Sequence, residues 1–185
     1  MEFHRRQLPH LHALNQPVFL TWRLHGSLPP ERNITSPQTP SEKSFALMDH
    51  LLDAAKAGPS YLRKPEIAEA ILNALNYTAD PLGHHTLHAY VLMPNHVHLL
   101  TTPHIPLPEL TKSLKGYTAR QANQLLRQTG KPFWQQETYD HLVRDQSAFE
   151  QIRHYIHQNP VKAGLARTPE SYKYSSAYTP CYSVR

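Results

Sequence analysis

Two runs of extended-type residues, "HTLHAYVLM" (85 to 93) and "HVHLLTT" (96 to 102), are separated only by Pro94-Asn95. Two strand-like runs joined this tightly form an antiparallel hairpin, and any fold proposed for the chain must be built around it. Side chains two apart on a strand share a face, so His96, His98 and Leu100 stand together, and Val97, Leu99 and Thr101 share the other side.

The segments around the hairpin are of mixed type. "PVFLTWRLHG" (17 to 26) reads as a strand ending at Gly26, and "SLPPERNITSPQTPS" reads as a loop. Ser41 caps a helix running through "EKSFALMDHLLDAAKA" to Gly58, and Pro65 opens a second, "PEIAEAILNALNYTA". After Pro106, "LPELTKSLKGYTARQANQLLRQTG" has helical periodicity up to Gly130. "YDHLVR" (139 to 144) is a short strand, and "SAFEQIRHYIHQ" (147 to 158) is a helix stopped by Asn159-Pro160. This interleaving predicts an α+β sandwich with helices on one face of an antiparallel sheet. We expect one domain over 1–185, with a core at about 17–160, a leader over 1–16 and an irregular tail over 161–185.

Composition narrows the class. With 39% hydrophobic and 18% charged residues the chain reads as soluble, and nothing approaches the roughly eighteen consecutive apolar residues of a membrane span. The N-terminus has no signal-peptide core, and the single Cys181 cannot form an internal disulfide, so a cytoplasmic location is expected. A net charge of +5 suits a polyanionic partner.

The chain has 14 histidines, enough for about one His-x-His by chance. His10-Leu11-His12 is a second instance, in a proline-flanked leader, and we treat it as a bystander. The hairpin pair can converge on a divalent ion, or can be ordinary solvated or hydrogen-bonded strand histidines.

On the helix after the hairpin, Leu110, Leu114, Tyr117, Gln121 and Leu125 fall within one stripe about 80° wide. That stripe predicts Tyr117 and Gln121 on the buried or site-facing side. A buried amide needs partners, and the Gln121 carbonyl oxygen could complete a metal site with His96 and His98. Lys112, Lys115, Arg120 and Arg127 lie off the stripe, where they meet phosphates or solvent. Together these residues suggest a metal-polarised phosphodiester attacked by the Tyr117 phenol, with Lys115 or Arg120 assisting. No P-loop, CxxC pair or GxGxxG is present.

Five ordered blocks, "AYVLMPNHVHLL", "LKGYTARQANQLL", "PFWQQETYDHLVRD", "IRHYIHQNPVKAGL" and "YSSA", resemble the REP-associated tyrosine transposases, HUH single-tyrosine enzymes of the insertion-sequence type. The similarity runs over about residues 17–178. It implies a ferredoxin-like α+β core and Mg²⁺- or Mn²⁺-dependent nicking and strand transfer of single-stranded or hairpin DNA through a 5′-phosphotyrosine. Carried over, the nucleophile falls on Tyr117 and the ligands on His96, His98 and Gln121, with Asn123 a poorer third ligand because it points about 200° away. Arg5, Arg6, Arg23, Lys112, Lys115, Arg120 and Arg144 are candidate DNA contacts, and a monomer is favoured over a homodimer. Two other readings remain: a domesticated hairpin-binding protein with little cleavage, and a histidine-rich metal binder without DNA function.

Overall fold

In the computed structural model the described residues are 14–28, 49–53 and 58–180. Their long elements are β1 (Val18–Arg23), α1 (Pro65–Ala79), β2 (His85–Leu92), β3 (His96–Pro103), α2 (Leu107–Leu125), β4 (Tyr139–Leu142) and α3 (Gln146–Lys162), with a helical stretch at 49–53. The four strands form an antiparallel sheet in the order β2-β3-β1-β4. This is the ferredoxin-like arrangement, in which β1-α1-β2 and β3-α2-β4 each return to a parallel strand across an intervening one. The expected α+β architecture is thus present.

Alternation along the strands divides the core in two. Val18, Leu20 and Trp22 of β1 join Val97 and Leu99 of β3 under α1 and α2, which contribute Ile67, Ile71, Leu75, Leu107, Leu110 and Leu114. The opposite parity, Phe19 and Leu100 with Ala89 and Val91, packs against Phe149, Ile152, Tyr155 and Ile156 of α3. Both β1 and β3 are therefore covered on both sides. His96 and His98 belong to the α3 side, covered there by one long helix.

Two boundaries differ from the sequence reading. Helix α3 starts on an N-cap whose Asp145 side chain accepts from the Ala148 N–H, and it continues past Asn159-Pro160 to Lys162. Proline's fixed φ is helical; what it removes is one N–H, and Pro160 sits close enough to the C-terminus that only one helical bond is forfeited. The Pro160 carbonyl is then taken up by the N–H groups of Leu165 and Ala166. The tail is also more ordered than expected. Leu92 N–H donates to Tyr174 O, Ser176 N–H donates to Tyr90 O, and Val91 bridges Ser175, so the tail covers the exposed edge of β2.

At the far end of the hairpin, His85 is wedged between Thr78 Oγ1 (3.0 Å) and Thr101 Oγ1 (2.6 Å). Burial, reinforced by nearby His104, His84 and His88 and opposed by the Leu75 carbonyl, lowers its pKa to about 4. The unfolded chain binds a proton near pH 6.5 that the folded ring refuses until about pH 4. Stability from this site is complete above pH 6.5 and falls as pH drops through that window, by about 2–3 kcal/mol. Melting wild type and His85→Gln between pH 7.5 and 4 is expected to show the smaller acid loss in the variant.

Candidate metal centre

The histidine pair is held by contacts that fix which nitrogen faces the site. Asn95 gives its amide N–H to Leu52 O at 2.9 Å, so its carbonyl oxygen faces His96 Nδ1 at 2.7 Å and accepts that proton. His96 Nε2 therefore carries the lone pair. His98 Nδ1 lies 2.7 Å from Thr21 Oγ1 on the neighbouring strand, and the Asn159 amide nitrogen lies 3.3 Å from His98 Nε2. That pattern assigns the Nδ1 proton to the Thr21 contact and the Nε2 lone pair to the centre. The two Nε2 atoms are only 3.1 Å apart in rings that are fully buried.

The 49–53 helical stretch supplies what the histidines lack. Asp49 Oδ1 is 3.0 Å from His98 Nε2 and 3.6 Å from His96 Nε2, and Asp53 Oδ1 is 4.0 Å from His96 Nε2. Asp49, His96 and His98 form a buried group able to hold a metal ion, with all ligand atoms within 4.8 Å of one another. Asp49 Oδ1, Asp53 Oδ1 and Asn159 Oδ1 are buried without a hydrogen-bond donor among the described residues. Facing imidazole lone pairs beside orphaned carboxylate oxygens repel one another unless a cation lies between them, so the donor set fits a divalent ion.

The electrostatics agree. Burial lowers the His96 pKa to about 3, with His98 adding to the effect and Asp49 opposing it, so the ring stays in its neutral, ligating form. Burial raises the Asp49 carboxyl, but His98, His96 and the Tyr155 hydroxyl outweigh it and hold the group below the usual carboxylate range. Asp53 is pushed up to about 7, by burial first and then by Asp49.

Helix α3 brings a tyrosine to this centre. The Tyr155 hydroxyl donates to Asp49 Oδ2, and its ring meets His98 edge-on at 5.5 Å between centroids. One turn later, Asn159 reaches His98. Lys162 places its ammonium 5.3 Å from the Tyr155 ring centroid. Burial, then the Asp49 charge, drives the Tyr155 phenol far above its ordinary pKa.

Tyr117 and Gln121 are not brought to the histidine pair. Their helix, α2, packs on the other side of the sheet through Leu107, Leu110, Leu114 and Ala122. Within α2 the buried face is also rotated from the predicted stripe: Thr118, Ala122 and Asn123 are buried, while Tyr117 is 47% and Leu125 50% exposed. Asn123 closes the turn after α2, giving its amide N–H to Lys131 O and accepting from Gln128.

The basic candidates also separate. Arg5 and Arg6 lie outside the described residues. Lys112, Arg120 and Arg144 are exposed. Arg23 is buried on the histidine side, cross-strand from His96, and donates to Ser27 Oγ; burial lowers its pKa, against the pull of Glu137. Lys115 is turned away from α2's solvent face, and its ammonium donates to the carbonyls of Gln135, Gln136 and Glu137 and to Thr138 Oγ1. Lys115→Met is accordingly expected to cost about 1–2 kcal/mol, or a melting temperature lower by about 3–6 °C. The same variant is expected to bind DNA with unchanged affinity in a direct titration.

Sequence reasoning missed Asp49, Asp53, Tyr155 and Asn159. Two pairs at helical i, i+4 spacing were visible, Asp49/Asp53 and Tyr155/Asn159, and each puts polar groups on one helix face.

The fold and site define a ferredoxin-like α+β protein with a buried histidine–aspartate group able to hold a metal ion. Residues 43–159 match the family model described as IS200-like transposase, and the chain belongs to that family. A curated protein of Haemophilus influenzae, provisionally named a REP-associated tyrosine transposase, is 31% identical over 103 residues, which is 48% of this chain and 56% of that one. The match thus spans little more than half of that relative's length. A solved structure described as the REP-associated tyrosine transposase bound to a REP hairpin has the same fold, with a TM-score of 0.57 at 18% identity, over 95% of this chain and 82% of that one. A provisionally assigned transposase of Deinococcus radiodurans R1 reaches a TM-score of 0.42 at 19% identity, over 82% of this chain and 96% of that one. Among the described residues no helix is long and apolar enough to cross a membrane.

Proposed function

We propose that this transposase-family chain nicks and rejoins single-stranded, hairpin-forming DNA through a covalent tyrosine intermediate, with Tyr155 rather than Tyr117 as the nucleophile. The observation that carries the reading is the contact of the Tyr155 hydroxyl with Asp49, the carboxylate that also faces both imidazoles. A nucleophile must lie within hydrogen-bond reach of the group that takes its proton, and beside the group that polarises the phosphate. Tyr117 would have to cross the sheet to meet either.

Asp49 Oδ1, His96 Nε2 and His98 Nε2 would hold the ion, with the Asn159 amide oxygen within reach after a flip of its terminal group. The mixed nitrogen and oxygen donors, with no thiolate, suit Mg²⁺ or Mn²⁺. When bound, the ion supplies Lewis-acid polarisation of the scissile phosphate. Tyr155 Oη attacks phosphorus, its proton passing to Asp49 Oδ2. A phosphorus–O bond forms at Tyr155 as the bond to the 3′ oxygen breaks, leaving a 5′-phosphotyrosine and, after protonation, a free 3′-hydroxyl. Attack by a 3′-hydroxyl on that phosphotyrosine reverses the balance and joins strands. The Lys162 ammonium and the Arg23 guanidinium lie on the same side of the sheet to meet phosphate charge.

The rival reading, a retired hairpin-binding protein, leaves unexplained why a buried cluster of lone pairs and carboxylates is retained at a cost to stability. The test is incubation of the full chain with Mn²⁺ and a labelled hairpin oligonucleotide, followed by denaturing electrophoresis and peptide mapping. A metal-dependent adduct on the peptide containing Tyr155 is expected. No adduct under any divalent ion, or one on the Tyr117 peptide, defeats the assignment.

A further inference from the structure

Tyr155, Asn159 and Lys162 recur at i, i+4 and i+7 along α3, which places them within about 60° of one another around the helix. The first two meet the histidine–aspartate group, Tyr155 through Asp49 and Asn159 through His98. The third joins the stripe because α3 continues past Pro160 to Lys162. Helical side chains lean toward the N-terminus, so a long lysine two turns beyond Tyr155 reaches back along the stripe. Its ammonium stands over the Tyr155 ring, 5.3 Å from the centroid. We infer that Lys162 is the electrostatic partner of the Tyr155 phenol, balancing the negative charge that gathers on Oη as the tyrosine joins or leaves the phosphodiester. The inference rests on the proposed nuclease function and deepens it: Lys162 acts on the tyrosine as well as on DNA phosphate.

The surroundings of the phenol oppose that charge. Its ring packs edge-on against Phe19 and His98, with centroids 6.1 and 5.5 Å away, and its hydroxyl donates to Asp49. Burial first, then Asp49 and Asp53, push the phenol far above its ordinary range, and the Asn159 hydrogen bond, the smallest of these effects, opposes them. An oxygen so placed is a poor nucleophile and a poor leaving group unless a cation lies close. Lys162 supplies one from the same helix, so cation and phenol keep their spacing if α3 shifts as a body. The reach of its charge is visible at Asp53: burial and Asp49 raise that carboxyl to about 7, while His98 and Lys162 pull it down.

Lys162 is exposed, so water screens its charge in the free protein. A DNA strand lying over the site excludes that water and strengthens the interaction when the chemistry occurs. A cation in the last turn of a helix also suits the helix dipole, a role that any position of the ammonium near the final carbonyls would serve. That role gives the ring no part, and it predicts an effect on stability alone.

The step that exposes the difference is rejoining. A 3′-hydroxyl attacks the phosphorus of the phosphotyrosine and loses its proton to solvent as the new P–O bond forms. The P–Oη bond breaks with its electron pair on Oη, and Oη then takes a proton from Asp49 Oδ2. The ammonium offsets the charge on Oη between those two events.

The test isolates the covalent adduct of the full chain on a labelled hairpin oligonucleotide and chases it, in Mn²⁺, with a saturating 3′-hydroxyl acceptor strand. Lys162→Met is expected to resolve the adduct about tenfold more slowly than wild type, and Lys162→Arg within about threefold of it. A difluorotyrosine in place of Tyr155, whose phenol leaves more readily, is expected to speed Lys162→Met about fivefold more than it speeds the Lys162 protein. Hairpin affinity stays within about threefold of wild type and the melting temperature within about 2 °C, since one exposed cation is lost. Equal acceleration in both backgrounds, an adduct that Lys162→Met resolves at the wild-type rate, or a slowing that Lys162→Arg fully shares overturns this role. Wild type that forms and resolves the adduct beside an unslowed Lys162→Met removes the role of Lys162 alone. Wild type that forms no adduct at Tyr155 removes the nuclease reading, and this role with it.

Discussion

Tyr155→Phe is expected to eliminate the covalent protein–DNA adduct and to lower Mn²⁺-dependent cleavage by about 1,000-fold or more, because the only atom removed is the oxygen proposed to attack. Tyr117→Phe, by contrast, is expected to cleave within about threefold of wild type, since an exposed phenol on the far side of the sheet touches no reacting group. The pair of variants separates catalysis from folding. Tyr155→Phe keeps the ring against Phe19 and His98 and loses the hydroxyl's bonds with Asp49 and Asn159, a change of about 1–3 kcal/mol. Its melting curve in the absence of metal therefore stays cooperative, and hairpin affinity by anisotropy stays near wild type. If Tyr155→Phe still forms an adduct, the phenol that attacks is elsewhere and the reading of α3 falls.

The contrast between the two tyrosines shows what periodicity can and cannot say. Hydrophobic spacing identified the hairpin, the His96/His98 face and the helix carrying Tyr117, because each is a local property of the chain. It could not say which side of the sheet a helix packs on. Topology could have. A right-handed return from β1 to β2 and another from β3 to β4 must place α1 and α2 on the same side. That side is the one lined by Val97 and Leu99, opposite the histidines. Of the long helices, the one following β4 was free to cover His96 and His98, and it carries the same i, i+4 tyrosine–amide pair in "YIHQN". Pro160 hid that pair by suggesting that the helix had already ended. Asp49 was obscured differently: its helix reads as an ordinary amphipathic segment, and only the Asn95–Leu52 bond reveals why it docks against the histidines.

A second large effect is expected in the response to metal. With Mn²⁺ at about a hundred times its dissociation constant, a ligand that binds only the folded state contributes about 2.7 kcal/mol, so wild type should melt about 5–10 °C higher. Asp49→Ala and His98→Ala are each expected to abolish that shift and the cleavage with it, whereas Gln121→Ala retains both. Asp53→Asn is the informative intermediate. Its carboxyl, raised to about 7 by burial and by Asp49, gives the folded state a proton that the unfolded chain has released above its ordinary pKa of 3.8. Stability is therefore lost as pH rises through that window, and the neutral amide removes the penalty. After allowance for the partial exposure of Asp53, the variant should be about 1–3 kcal/mol more stable than wild type without metal at pH 7.5. It should also bind Mn²⁺ about 10–100-fold more weakly, since the second carboxylate no longer supports the ion. A protein whose metal-free fold improves when an acidic group is removed, while its metal response deteriorates, has kept that group for the ion. Loss of the melting shift in Gln121→Ala with retention in Asp49→Ala would instead move the centre across the sheet, and the α3 site would have no metal to serve it.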